Sequence, residues 1–222
     1  PITWFLTGME KHSDSRRDDL YGNAEAFKNS MIYNMAHLPG PSLQTAMNEL
    51  SNHDHSRFLT RTNRRVGRMN TLGSDAASQG IDKGVMREAV VMQMTWPGAP
   101  TVYYGDEAGM VGWTDPDNRR SYPWGKQDWE LIEFHKDMIR IHKKYECFRS
   151  GSYKSIASGS HWICYGRFNK KLQAVILINN RRETLTVDLP IWQIGILENA
   201  CLKRVIPVSY THLRAHETLM NL

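Results

Sequence analysis

The chain has 222 residues, 41% of them hydrophobic and 23% charged, with a formal net charge of +5 and a mean hydropathy of −0.53. This composition belongs to a globular protein of one large or two small domains. It excludes a long disordered tract and any apolar run of the roughly 18 residues that a membrane span needs. The positive excess is mild and spread along the chain, so it gives no case for nucleic acid.

The chain opens Pro1-Ile-Thr-Trp-Phe5, with neither an initiator Met nor a signal segment, and is expected to be truncated. A charged loop at His12–Asp19 precedes a helix at Asn23–Ala36, where Phe27, Met31 and Met35 recur on one face. Pro39-Gly40-Pro41 should stop that helix. Ser42–Leu50 reads as a buried strand ending in the polar tip Asn52-His53-Asp54. Arg61–Gly80 reads as a long loop. Its arginines Arg61, Arg64, Arg65 and Arg68, with Lys83 and Arg87 beyond, have no interleaved aromatics and read as a solvated face.

Asp82–Thr95 is helical, Trp96–Pro100 a turn, and Thr101–Tyr104 a short strand running into Gly105-Asp106-Glu107. Gly109–Trp124 is a loop. Asp128–Tyr145 is a helix capped by Asp128, with Leu131, Phe134, His135, Met138, Ile141 and His142 near one face. From Ser150 to Leu189 the pattern changes to strands, including Trp162–Tyr165 and Ala174–Ile178, so a boundary is expected near Phe148. Cys147, Cys164 and Cys201 are odd in number and form no Cys-x-x-Cys pair, so neither a disulfide framework nor a zinc site is indicated. Val208–Thr218 resembles the translation of a transposon-type sequencing adapter. The natural sequence is therefore expected to end at or before Pro207, and His212 and His216 read as accidental rather than as a metal pair.

Three polar clusters could carry chemistry. A carboxylate and an imidazole at a strand end, Asp54 and His53, can bind neighbouring hydroxyls of one sugar ring, with Arg57 able to pair with Asp54. The alternative is an Asx-type turn or helix cap. Asp106 and Glu107 are adjacent, so on a strand they would point opposite ways, and pairing with arginines is the favoured role. Asp115-Pro-Asp-Asn-Arg119 is a charged loop whose Arg119 can hold a carboxylate or hydroxyls. Trp113, Tyr122 and Trp124 offer flat faces for a glucose unit, with core packing the equal alternative for each. No phosphate-loop or nucleophile-elbow motif is present in the sequence.

Three blocks in this order resemble the C-terminal half of an α-amylase family enzyme (glycoside hydrolase family 13). They are Met47-Asn-Glu-Leu-Ser-Asn-His-Asp54-His-Ser-Arg57, Pro97-Gly-Ala-Pro-Thr-Val-Tyr-Tyr-Gly-Asp-Glu107, and Asp115-Pro-Asp-Asn-Arg119 leading to Tyr122-Pro-Trp124. The branch they look most like is that of neopullulanase, cyclomaltodextrinase and maltogenic amylase. The resemblance implies an α/β fold. Residues 1–147 would be the last strands and helices of a (β/α)8 TIM barrel, and 148–207 an incomplete all-β sandwich, with 208–222 the adapter-like tail.

It also implies roles. Asp54 matches the catalytic carboxylate that binds two sugar hydroxyls and stabilises the transition state, and His53 matches its supporting histidine. Asp115 and Arg119 match residues gripping the next sugar, and Arg57 is grouped with them as substrate-binding. The blocks bearing the nucleophile and the general acid are absent from the 222 residues, and a whole barrel takes about 250. The parent is thus expected to be a retaining α-glucan hydrolase and this piece to be inactive. The alternatives are a non-catalytic carbohydrate-binding relative and, last, a nucleic-acid module. No cofactor or metal is expected in this segment, a structural calcium being left to the missing part. The expected partner is an α-glucan oligosaccharide, without nucleic acid or membrane. A homodimer of the full-length parent and a cytoplasmic location are the accompanying expectations.

Overall fold

The computed structural model describes residues 1–197 and 199–206, together with the backbone of 219–221. Helix α1 (Ile2–Thr7) opens the chain and ends at Gly8 in the left-handed region. Helix α2 (Ala24–Ala36) is capped by Asn23, whose side chain accepts from the Ala26 amide at 3.0 Å. Phe27 is buried, and Met31 and Met35 pack partly on the core, as their spacing predicts. The Pro39-Gly40-Pro41 stop also starts a new helix, α3 (Gly40–Thr45). Proline suits a first helical turn, where its missing N–H has no partner to lose. Strand β1 is therefore short, Met47–Glu49, rather than the whole of Ser42–Leu50.

Helix α4 (Phe58–Arg61) runs up to the start of the expected loop, and within that loop lie α5 (Met69–Leu72) and a 3-10 turn at Asp75–Ser78. Helix α6 (Lys83–Thr95) is capped by Asp82, which accepts from the Gly84 and Val85 amides at 2.8 and 3.2 Å. Strand β2 (Ala99–Thr101) pairs parallel with β1, Met47 facing Ala99 and Glu49 facing Thr101. The turn before β2 needs Gly98. Its φ is +134°, and a Cβ there would stand 2.6 Å from the Ala46 carbonyl. β2 ends before the predicted Tyr103–Tyr104, which instead turn, with the Asp106 amide donating to the Tyr103 carbonyl at 3.1 Å. Helix α7 (Trp129–Lys144) follows, capped by Asp128, and then α8 (Glu146–Ser150). Strand, helix, parallel strand and helix thus alternate as a barrel segment requires.

Strands β3 (Ser152–Gly159), β4 (Trp162–Phe168), β5 (Gln173–Asn179) and β6 (Leu219–Asn221) form one antiparallel sheet in sequence order. The β6 backbone pairs with β5 from Val175 to Leu177, and it belongs to the tail that the sequence sets aside; 207–218, with His212 and His216, lie outside the described residues. The two-sheet sandwich is not present among the described residues. One face of the sheet (Ile163, Tyr165, Ala174, Ile176, Ile178) joins the helical core. The other (Cys164, Val175, Leu177) is covered by Ile194, Ile196, Leu185 and Leu189. Burial of both faces explains why Ala174–Ile178 is apolar throughout instead of alternating.

The core runs across the expected boundary at 147/148. Trp96, after α6, packs on Phe27, Tyr165 and Tyr153 with ring centroids 5.7, 4.9 and 4.6 Å away. Phe5, Phe58 and Phe148 are fully buried in the same cluster, each such side chain contributing about 1.5–3 kcal/mol. Arg167 of β4 is buried and donates to the Thr95 and Gly151 carbonyls at 2.6 and 3.0 Å, tying sheet to helix. Cys147 and Cys164 are buried and free, and Cys201 is exposed and free.

Glu88 of α6 is buried, and that burial, with Asp82 nearby, raises its carboxyl well above the usual range. A raised folded-state value favours folding at low pH, and the advantage is lost as pH rises above the unfolded value. Glu88→Gln should therefore gain stability over the native chain as pH increases from 5 to 8. Urea unfolding at the two pH values checks this.

Candidate active site

The C-terminal ends of β1 and β2 carry the predicted polar residues. After β1, Asn52 accepts from the Asp54 and His55 amides, each at 3.0 Å, and donates to Glu49 at 2.6 Å. This is the Asx turn weighed from the sequence. It does not compete with function, because it engages Asn52 and leaves the neighbouring side chains out. Asp54 is 67% exposed and His53 70%, with His53 Nε2 3.5 Å from Asp54 Oδ1. Imidazole and carboxylate stand side by side with free hydrogen-bonding capacity.

Arg57 is placed differently from its expectation. It is 0% exposed and pairs with Asp106 at 3.0 Å, not with Asp54. It also donates to the Tyr104 carbonyl at 2.6 Å and the Asn118 carbonyl at 2.8 Å, and lies over the Tyr103 ring at 4.1 Å. A guanidinium so enclosed cannot reach a sugar, so its assignment as a substrate contact is corrected to a structural clamp. Asp106, buried, is pushed upward by loss of water, against the pull of Arg57. Its neighbour Glu107 turns away to accept from the Gly105 amide at 2.9 Å. The favoured reading of Asp106 as an arginine partner agrees with this pair.

Arg61 is a second correction. It is buried instead of solvated, with hydrogen bonds to the Leu50 carbonyl and the Thr3 hydroxyl, and burial lowers it to about 10. Leu50 follows directly on β1, and the buried guanidinium supplies its carbonyl with a donor. Arg87 is buried likewise beside Glu130, at 3.2 Å. Arg65 and Arg68 do lie outside, bonded to Gln79 and Asp14, whereas Arg64 is half-buried over the Tyr21 ring at 3.9 Å and bonded to Asp18.

Asp115 and Arg119 form an exposed ion pair on the loop after β2. Asn118, between them, is fully buried and donates to the Asn52 carbonyl at 3.0 Å and the His55 carbonyl at 2.7 Å. One side chain therefore fastens the Asp115–Arg119 loop to the Asp54 turn. Arg120 holds the loop from its other side through Asp117 and the Ser74 carbonyl, both at 2.7 Å. Of the three aromatics, Trp113 is 0% exposed and is core, whereas Trp124 is 80% exposed.

Two groups escaped the sequence reading. Asn118 looked like turn filler, although an Asn that both donates and accepts is suited to joining two loops. Glu10, His12 and Asp14 bring potential metal ligands within 4.8 Å of one another. They are already used: Glu10 Oε1 accepts from the His12 and Asp14 amides, and Asp14 pairs with Arg68.

A sequence model of the alpha-amylase catalytic domain matches residues 4–174. The chain belongs to the alpha-amylase family. Among its relatives, neopullulanase 2 of Thermoactinomyces vulgaris is 33% identical over 198 residues, 87% of this chain and 29% of that protein. An amylopullulanase of Thermoanaerobacter thermohydrosulfuricus is 36% identical over 132 residues, 58% of this chain and 9% of that one. A solved cyclomaltodextrinase superposes with a TM-score of 0.71 at 23% identity, over 99% of this chain and 33% of its own. The debranching enzyme of Nostoc punctiforme gives 0.69 at 21%, over 100% and 43%. The fold is thus that of the family's catalytic domain, a TIM-barrel fold, and the chain spans less than a third of the curated relatives it matches. No helix among the described residues is long and apolar enough to cross a membrane.

Removing one partner of a buried ion pair leaves the other charge uncompensated. Arg57→Met should cost about 3–5 kcal/mol of stability, read by denaturant unfolding. The Asp106→Asn change in the Arg57→Met background should recover part of that loss. His55 stacks on His12 at 5.2 Å and is lowered to about 4, by burial first and then by the Arg61 and Lys11 cations. Stability from this group is present above pH 6.5 and lost as pH falls toward 4. His55→Asn should flatten the thermal midpoint against pH in that window.

Proposed function

We propose that this chain is part of a retaining α-glucan hydrolase that cleaves α-1,4 bonds in starch-derived oligosaccharides or cyclodextrins. The observation that carries the reading is the exposed His53–Asp54 pair at the end of a parallel strand, in a chain that the family's catalytic domain matches over residues 4–174. The names of its relatives, neopullulanase and cyclomaltodextrinase among them, support the substrate class.

Asp54 accepts hydrogen bonds from two adjacent hydroxyls of the sugar at the cleavage point. A charged acceptor makes each worth about 1.5–3 kcal/mol. The bonds strengthen as the ring flattens toward an oxocarbenium ion, so they favour the transition state over the bound substrate. His53 shares that ring, donating to a neighbouring oxygen. Asp115 and Arg119 hold the next sugar, the one as acceptor and the other as a fork of donors. Nucleophile and general acid, about 5–5.5 Å apart in a retaining enzyme, come from strands beyond these 222 residues. Strands β3–β5 are the opening part of a C-terminal β-sandwich.

Two measurements test this. The 222 residues alone should release no maltose from cyclodextrin. With its natural flanks restored, the enzyme should lose turnover by a factor of about 10³ or more in Asp54→Asn, with an unchanged thermal midpoint. A variant with the parent's rate would remove Asp54 from the mechanism.

A further inference from the structure

The loop that carries Asp115 and Arg119 ends in a fixed aromatic pair that its anchoring does not require. The Trp124 amide donates to the Tyr122 carbonyl at 2.8 Å, which brings the two rings to 4.6 Å between centroids at 51°. The Lys126 amide then donates to the Pro123 carbonyl at 2.9 Å, closing a tight turn with Trp124 at its tip. Gly125 holds φ at +77°, as the third position of such a turn demands. On the inner side the Tyr122 hydroxyl meets the Glu107 carboxylate, and Tyr104 donates to the Arg120 carbonyl at 2.8 Å. The platform is therefore tethered to the residues that follow β2, at the strand ends where Asp54 also lies.

We propose that Trp124 and Tyr122 form a stacking platform for an outer glucose unit of an α-glucan chain, beyond the sugar held by Asp115 and Arg119. This rests on the reading of those two residues given above. The Tyr122 ring backs the indole on one side, and its remaining surface, 80% exposed in all, is open to a sugar. Two tilted rings offer an apolar area the size of one pyranose C–H face. Their surroundings are polar and charged, with Glu107, Arg119, Arg120 and Lys126 close in the chain or in space. A protein partner would call for a broad apolar patch, which this is not. A polyol with apolar faces and hydroxyl edges matches both the rings and the rim.

The consequence is length-dependent affinity. Maltose would fill the places at Asp54 and at Asp115–Arg119, and only a longer chain would reach Trp124. Titration calorimetry of the full 222-residue chain with maltose and maltohexaose tests this. Trp124→Ala should weaken maltohexaose by about tenfold and leave maltose within about twofold, with Trp124→Phe recovering part of the loss. Trp192, also exposed but on the sheet side, provides the control: Trp192→Ala should bind both sugars as the native chain does. Thermal melts verify that each variant is folded. If Trp124→Ala binds maltohexaose normally while Asp115→Ala binds neither sugar, the platform is overturned and the reading of Asp115 stands. If the native chain binds neither sugar, both are overturned.

Discussion

A buried guanidinium organises this site. Arg57 has no access to water, and its cost of desolvation is met by one carboxylate and two carbonyls drawn from different segments. Asp106 and Tyr104 come from the turn that follows β2, and Asn118 from the loop beyond it. Three stretches far apart in sequence must converge for that charge to be tolerated, so the packing of one residue fixes the relative position of both strand ends. The Tyr103 and Tyr104 rings, in edge contact with each other, lie 4.1 and 4.8 Å from the guanidinium and add cation–π contacts.

Around this fixed point the remaining contacts are arranged outward. Asn118 occupies the gap between Arg57 and the Asp54 turn, with its carbonyl on one and its amide on the other. Asn52 satisfies the backbone of that turn. The chemistry-bearing groups are left as the exposed ends of a rigid frame: His53, Asp54, Asp115 and Arg119. Interior polar atoms supply geometry, and exterior ones supply hydrogen-bonding capacity to a ligand.

The sequence disclosed the helices and the site motifs better than it disclosed the packing. Helices α2, α6 and α7 were legible from apolar spacing and from Asn23, Asp82 and Asp128 as caps, because these signals are local. The strand at Ser42–Leu50 was overextended, since Pro41 reads equally as an ending and as a first turn. Arg57 and Arg61 were misjudged for a general reason. An arginine's surroundings are decided by distant carbonyls such as those of Asn118 and Leu50, which no short window reveals. The second sheet was implied by the family resemblance, yet Leu185–Ile196 covers β4 and β5 with a 3-10 turn and coil instead. His53, Asp54, Asp115 and Arg119 lie exposed on the polar tip and the loop where the sequence put them, and Trp113 is separated from Trp124 only by its burial.

The union of the sheet with the helices bears on how such proteins can be recombined. Trp96 is packed among Phe27, Tyr153 and Tyr165, and Arg167 occupies carbonyls from both Thr95 and Gly151. The Thr95 hydroxyl meets Tyr165 at 2.6 Å. A junction cut at Phe148 would part Trp96 from Tyr153 and Tyr165, and Thr95 from Tyr165 and Arg167. Chimeras between relatives that exchange the sheet must therefore exchange the last turn of α6 with it, because those two regions pack as a single mating surface.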